Sequence, residues 1–277
     1  MAGTLYLVAT PIGNLRDFSP RAIETLAGAG FIAAEDTRVT LKLLNHFGIR
    51  KPMVSYYRHN ADTRGEEILS RILAGEDCAL VTDAGMPAIS DPGQELVALC
   101  GANGVETVAI PGACAFVTAL AVSGLPTDRF TFEGFLPMNK KNRRAHLDSL
   151  RGETRTMVFH EAPHKLLTTL EDLAETFGPD RRVSLCRELT KLHEEVVRTT
   201  LGLAAERCAQ DAPKGEFVLV VEGAPEAEDV SYTLEDGLAL VERLKGEGLS
   251  TRDAVKRAAA DLNLSKKALY DRAVGKG

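Results

Sequence analysis

Short runs rich in strand formers recur at 4–9, 31–34, 78–82, 106–110, 130–135, 155–160, 182–187, 196–200 and 216–222. Helical patterns at 20–29, 65–74, 93–102, 113–122, 165–176 and 203–210 separate most of them. This alternation constrains the fold more than any other feature, because strand, helix and strand in succession build α/β layers around largely parallel sheets. A turn-rich stretch, SGLPTD at 123–128, divides the pattern. The expectation is an N-terminal α/β domain over 1–123 and a C-terminal α/β domain over 124–228. The stretch GAPEAED at 223–229 reads as a linker.

The remainder, 229–277, differs in kind. LSTRDAVKRAAADLNLSKKALYDRAV reads as two short helices and a tight turn. Ser250 caps the first with Asp253 at its third position, and Ala254, Ala258 and Leu262 form its apolar stripe. Ser265 caps the second, with Leu264 and Leu269 spaced as a hydrophobic staple. With a helix over 234–245 they make a helix-turn-helix-like unit. Its last helix opens on Lys266 and Lys267, where phosphate contacts fall in such units, though a purely packing role fits equally.

The net charge of −6 is unevenly spread. Between 138 and 155 the basic residues Lys140, Lys141, Arg143, Arg144, Arg151 and Arg155 meet only Asp148 and Glu153. Local patches of this kind bind polyanions whatever the global charge. No apolar run reaches membrane-spanning length, and MAGT leads into a strand without a basic segment, so neither a membrane span nor a signal peptide is expected. The five cysteines show no C-x-x-C pairing, which fits the reducing cytoplasm.

HEAPH at 160–164 matches the H-E-x-x-H zinc signature. That signature requires both imidazoles one helical turn apart. Pro163 inside the five residues opposes a helix, and the preceding TMVF is strand-like. The reading is a strand ending near Glu161 followed by a helix with Pro163 in its first turn, and no metal site.

Three loops after strands share one character: LVATPIGNLRD, LVTDAGMPAISDPG and VAIPGACA. Such loops lie where ligands bind in parallel α/β sheets, with Pro to stiffen each turn and Gly to admit close backbone approach. Neither G-x-G-x-x-G nor a P-loop occurs, so the loops suit a ligand without phosphate, S-adenosylmethionine being one.

LYLVATPIGNLRDFSPRAIETL, AAEDTR, LVTDAGMPAISDPG, IPGACA, FEGFLP, FHEAPHKL, CRELTKLHEE and KGEFVLVVEG, in this order, resemble the bacterial 16S ribosomal RNA cytidine 2′-O-ribose methyltransferases of the tetrapyrrole methylase fold class. The likeness spans essentially the whole chain. It implies two α/β domains with S-adenosylmethionine in the cleft between them, a homodimer, and methylation of cytidine 1402 of 16S rRNA in the small ribosomal subunit. By position it implies a cofactor cradle of Pro11, Gly13, Asp83, Ala84, Gly85, Pro87, Ser90, Pro111, Gly112, Ala113, Cys114 and Ala115, with Phe159, His160, Glu161, Thr200 and Leu201 from the second domain. Thr82, Met86, Cys114 and Thr199 depart from the residues more common there, which leaves open the hydroxyls that touch the cofactor.

Methyl transfer to a ribose hydroxyl needs a proton acceptor. Glu35 and Asp36 in AEDTR, Glu161, and Glu188 or Lys191 in RELTK are the candidates, and the sequence does not choose among them. Arg38, Lys140, Lys141, Arg143, Arg144, Lys266 and Lys267 are the candidate RNA contacts. The rival readings are a porphyrinogen methyltransferase of the same fold and a non-catalytic RNA-binding assembly protein.

Overall fold

The computed structural model describes residues 1–211, 214–225 and 232–275. They form two compact units, Met1–Ala224 and Pro225–Gly277. Most of the expected linker, 226–229, lies outside the described residues.

The first unit contains two five-stranded sheets. One is wholly parallel and comprises β1 (Leu5–Val8), β2 (Phe31–Ala34), β3 (Met53–Ser55), β4 (Cys78–Val81) and β5 (Thr107–Ile110), in the order β3-β2-β4-β1-β5. Helices α1 (Pro20–Gly28), α2 (Thr37–His46), α3 (Ala61–Leu73) and α4 (Gln94–Ala102) cross over between its strands. Phe31 and Ala33 enter one apolar cluster while Ile32 and Ala34 enter another. Burial on both faces is why such strands read as continuous apolar runs.

The second sheet comprises β6 (Phe130–Phe135), β7 (Thr156–Glu161), β8 (Arg182–Arg187), β9 (Glu195–Thr200) and β10 (Phe217–Val221), ordered β6-β7-β10-β8-β9. Here the expectation of largely parallel sheets needs correction. Only β6 and β7 run parallel, and every pairing of β10 and β9 is antiparallel. The cause is connection length. Residues 188–194 join β8 to β9 without a crossover helix, and a short link of that kind permits only antiparallel neighbours.

Helix α5 (Ala115–Ser123) follows β5 and stops at Gly124, whose φ of 76° is left-handed. Its Ala119 and Leu120 share a core with Val158, Val218 and Val220 of the second sheet. The far face of that sheet packs on α7 (Leu166–Phe177) and α8 (Leu201–Gln210), while α6 (Lys140–Ser149) adds Leu147. Among the described residues no helix is long and apolar enough to cross a membrane.

The second unit holds α9 (Leu234–Gly246), α10 (Thr251–Asp261) and α11 (Lys266–Ala273) around Val241, Leu244, Ala254, Val255, Ala258 and Leu269. Ser250 and Ser265 cap α10 and α11 through Asp253 N and Ala268 N. A Cβ on Gly237 would stand 2.7 Å from Leu264 Cδ1 and 2.8 Å from Leu269 Cδ1, so the glycine lets α11 close onto α9. Leu262 caps α10 and is only half-buried; Val255 and Ala259 complete the stripe instead.

Candidate functional site

The strand order explains the cleft. Because β4, β1 and β5 are neighbours, the loops at their carboxyl ends lie side by side. Thr10 N donates to Gly85 O at 2.8 Å and Gly85 N returns to Thr10 O at 3.1 Å, joining the first loop to the second. Gly85 takes a φ of 90° there. A Cβ on Gly112 would come 2.9 Å from Ala9 Cβ, so the third loop requires glycine to lie against the first. Ala88 and Ser90, at φ of 68° and 66°, hold left-handed conformations that non-glycine residues seldom adopt.

Opposite these loops stand the ends of the second sheet. Because β10 runs antiparallel to both β7 and β8, its first residue Phe217 lies beside Glu161 and Arg187, the last residues of those strands. The resulting cleft of about 430 Å³ is lined by Ile12, Glu35, Asp83, Ala84, Gly85, Ser90, Asp91, Cys114, Ala115, Phe116 and Phe135, among others. His160, Glu161, Leu189, Glu216, Phe217 and Val218 face them.

One wall is acidic. Thr82 Oγ1 donates to Glu35 Oε2 at 2.6 Å, and Asp36 N donates to Asp83 Oδ1 at 3.2 Å. Burial, and then the neighbouring Glu35, push the Asp83 carboxyl up and carry that of Asp91 to about 6. The rest is largely apolar. Burial pushes the pKa of His160 down, its Nε2 has no partner among the described residues, and its ring meets Phe132 and Phe135 edge-on.

Among the expected cradle residues, Asp83, Ala84, Gly85, Ser90, Cys114 and Ala115 line the cleft. Pro11, Gly13, Pro87, Pro111, Gly112 and Ala113 stand in the same loops without lining it. Phe159 is fully buried in the core behind. Thr200 and Leu201 fall at the opposite end of the second sheet, because Thr200 pairs with Arg182 where β8 begins. Antiparallel β9 turns its carboxyl end away from the cleft.

The proton-acceptor candidates separate as sharply. Asp36 is locked to Arg38, whose side-chain hydrogen bond holds the carboxyl down at about 2. Lys191 bonds Glu188 Oε1 at 2.9 Å and Glu216 Oε2 at 3.0 Å, and these bonds raise its pKa against the effect of burial. Its stem packs where a Cβ on Gly13 would be, 2.5 Å from Lys191 Cγ, and Gly13 holds a φ of 148°. Glu161, 4% exposed, accepts from Ala162 N at 2.8 Å and from Thr169 Oγ1. Arg143 in turn donates to Thr169 Oγ1 at 2.8 Å and pairs with Asp172. Arg144 pairs with Glu175, while Lys140, Lys141, Lys266 and Lys267 are exposed.

HEAPH divides as its proline requires. His160 belongs to β7, and His164 to the short 3-10 turn Pro163–Lys165 that precedes α7. Among the described residues no group of three or more His, Cys, Asp or Glu stands in a metal-holding arrangement.

The family model described as Tetrapyrrole (Corrin/Porphyrin) Methylases matches residues 4–205. The chain belongs to the tetrapyrrole methylase family. Relatives named ribosomal RNA small subunit methyltransferase I include proteins from Synechocystis, 49% identical over 97% of this chain and 96% of that protein, and Escherichia coli O157:H7, 44% identical over 97% and 93%. Solved members of the fold include a diphthine synthase, with a TM-score of 0.61 at 16% identity over 79% of this chain and 90% of that one. A Thermus thermophilus uroporphyrin-III C-methyltransferase complexed with S-adenosyl homocysteine scores 0.55 at 19% identity over 79% and 97%. The cleft of this tetrapyrrole methylase has acids on one wall, where a cation fits, and Ile12, Phe116, Leu189 and Val218 elsewhere, where a flat ring fits.

Proposed function

We propose that this chain transfers the methyl group of S-adenosylmethionine to the ribose 2′-hydroxyl of cytidine 1402 in 16S rRNA. It acts on the small ribosomal subunit in the bacterial cytoplasm, as a homodimer. The observation that carries this reading is the two-sided cleft, acidic on one wall and apolar elsewhere, in a chain 49% identical to a small-subunit rRNA methyltransferase over nearly its whole length.

When bound, the cofactor supplies an electrophilic methyl on a sulfonium. The chain orients the partners and accepts the hydroxyl proton. Loops tied by Thr10 and Gly85, and kept close by Gly112, fix the cradle without help from the ligand. Leu189, Phe217 and Val218 form its apolar side. Asp91 fits the acceptor role best, because a carboxyl near 6 is mostly ionised at neutral pH yet more basic than an ordinary aspartate. Asp36, held at about 2, is a poor base, and the Lys191 ammonium has no vacant lone pair.

The test supplies tritiated S-adenosylmethionine with small subunits from cells lacking this protein or, in a parallel reaction, with a porphyrinogen, and then maps the label. Label on cytidine 1402, with the ribose resistant to alkaline cleavage, is the expected result. Label on a porphyrinogen instead of rRNA, or on neither, refutes the proposal.

A further inference from the structure

Two connections each serve two cavities. From the end of β6 to the start of α6, Phe135 lines the cleft, while Pro137, Met138 and Lys140 line a neighbouring groove of about 480 Å³. From the end of β7 to α7, His160 to Pro163 line the cleft, and His164 and Lys165 line that same groove. The groove therefore continues the mouth of the cleft.

Its basic residues divide into two sets. Arg143 is committed to Asp172 and Thr169, with its side chain only 12% exposed, and Arg144 is committed to Glu175. Arg151 pairs with Asp148. By contrast, among the described residues no carboxylate pairs with Lys140, His164 or Lys165. The Lys165 ammonium meets the sulfur of Met138, a weak acceptor that leaves its charge nearly uncompensated. At the junction of cleft and groove stands Phe135, 60% exposed, its ring centroid 5.4 Å from that of His160. A large ring left in water beside unpaired cations is what single-stranded nucleic acid uses, the ring stacking a base and the cations meeting phosphates.

We propose that Phe135, Lys140, His164 and Lys165 form the entry track for single-stranded RNA. Phe135 stacks on a base flanking the nucleotide in the cleft. Lys140 and Lys165 hold backbone phosphates, and His164 adds a hydrogen bond. Arg143 is a positioning residue instead, acting on Glu161 through Thr169. This inference rests on the rRNA reading above and supplies its substrate-binding surface.

The test is fluorescence polarisation of a labelled single-stranded RNA dodecamer with a central cytidine, titrated with the full chain over a range of salt. F135A is expected to weaken binding about tenfold, and F135Y to restore it. K140Q combined with K165Q is expected to weaken binding about tenfold and to flatten the slope of log affinity against log salt by about 1.4. The exposed K42Q on α2 is the control and changes neither. Calorimetric S-adenosylmethionine binding should stay unchanged in the lysine variants, and a cooperative thermal transition in F135A and F135Y shows that these are folded. Unaltered RNA affinity and slope in the track variants, or no RNA binding by the unaltered chain, overturns the track. Loss of RNA binding in the variants, alongside no methyl transfer to small subunits by the unaltered protein, leaves the track standing and removes the function proposed above.

Discussion

At Asp91, burial and a neighbouring acid oppose ionisation, and the consequences run in two directions. Folding raises this carboxyl from 3.8 to about 6, so the native state holds its proton more tightly than the unfolded chain does. The side chain therefore destabilises the fold as pH rises from about 4 to 6, and the cost persists above. D91N should raise the melting temperature at pH 8 and leave it nearly unchanged at pH 3.5. The gain is about 1 kcal/mol once solvent screening of a partly exposed carboxyl is allowed for. The same variant should lower kcat by roughly two to four powers of ten and abolish the rise in rate through pH 6. A kcat within threefold of the unaltered enzyme would remove Asp91 from the mechanism. Gly13 offers a second residue-scale test. In G13A the new methyl collides with the Lys191 stem at a left-handed backbone position. Cofactor affinity should fall roughly tenfold by calorimetry, within the range of about 1–3 kcal/mol that a strained position costs.

At the scale of elements, α11 depends on one absent side chain. In G237A the Cβ would press on Leu264 and Leu269, so the tail helices should lose protection from proteolysis while S-adenosylmethionine binding by Met1–Ala224 persists. Equal protease resistance would show that α9 and α11 shift apart at no cost. Most elements were legible in the sequence because burial on both faces writes apolar runs, as in FIAA of β2 and FVLVV of β10. Those that were not lack such a signal. Helix α6 reads KKNRRAHLDS with a single buried residue, Leu147, so no stripe marks it. Strand β3 has only three residues, none fully buried. Helix α2 hides behind AEDTR, where Asp36 looks chemical but caps the helix and binds Arg38. The cleft was half legible. Several residues in the Gly- and Pro-rich loops after parallel strands were found, whereas Asp91 in one of those loops and Leu189, Glu216, Phe217 and Val218 beside the second sheet were missed. Strand polarity decides which end of β10 meets the cleft, and polarity is a property of pairing that local composition does not record.

Across the whole molecule, the proposed contacts with a ribosomal subunit lie too far apart in sequence to be one motif. K266E combined with K267E in the full chain should weaken small-subunit binding and reduce its salt dependence, with calorimetric cofactor affinity unaltered. An unaltered salt slope would assign α11 to packing alone. The distribution of sulfur has a different consequence. Four of the five thiols are buried, and only Cys114, at the start of α5 on the cleft wall, is partly accessible. The protein thus carries its own chemical gauge of occupancy. A thiol-selective alkylating reagent should mark one position, and a ligand filling the cleft should shield it, so counting labels by mass spectrometry would report the loaded fraction without radioactivity, ribosomes or an engineered probe.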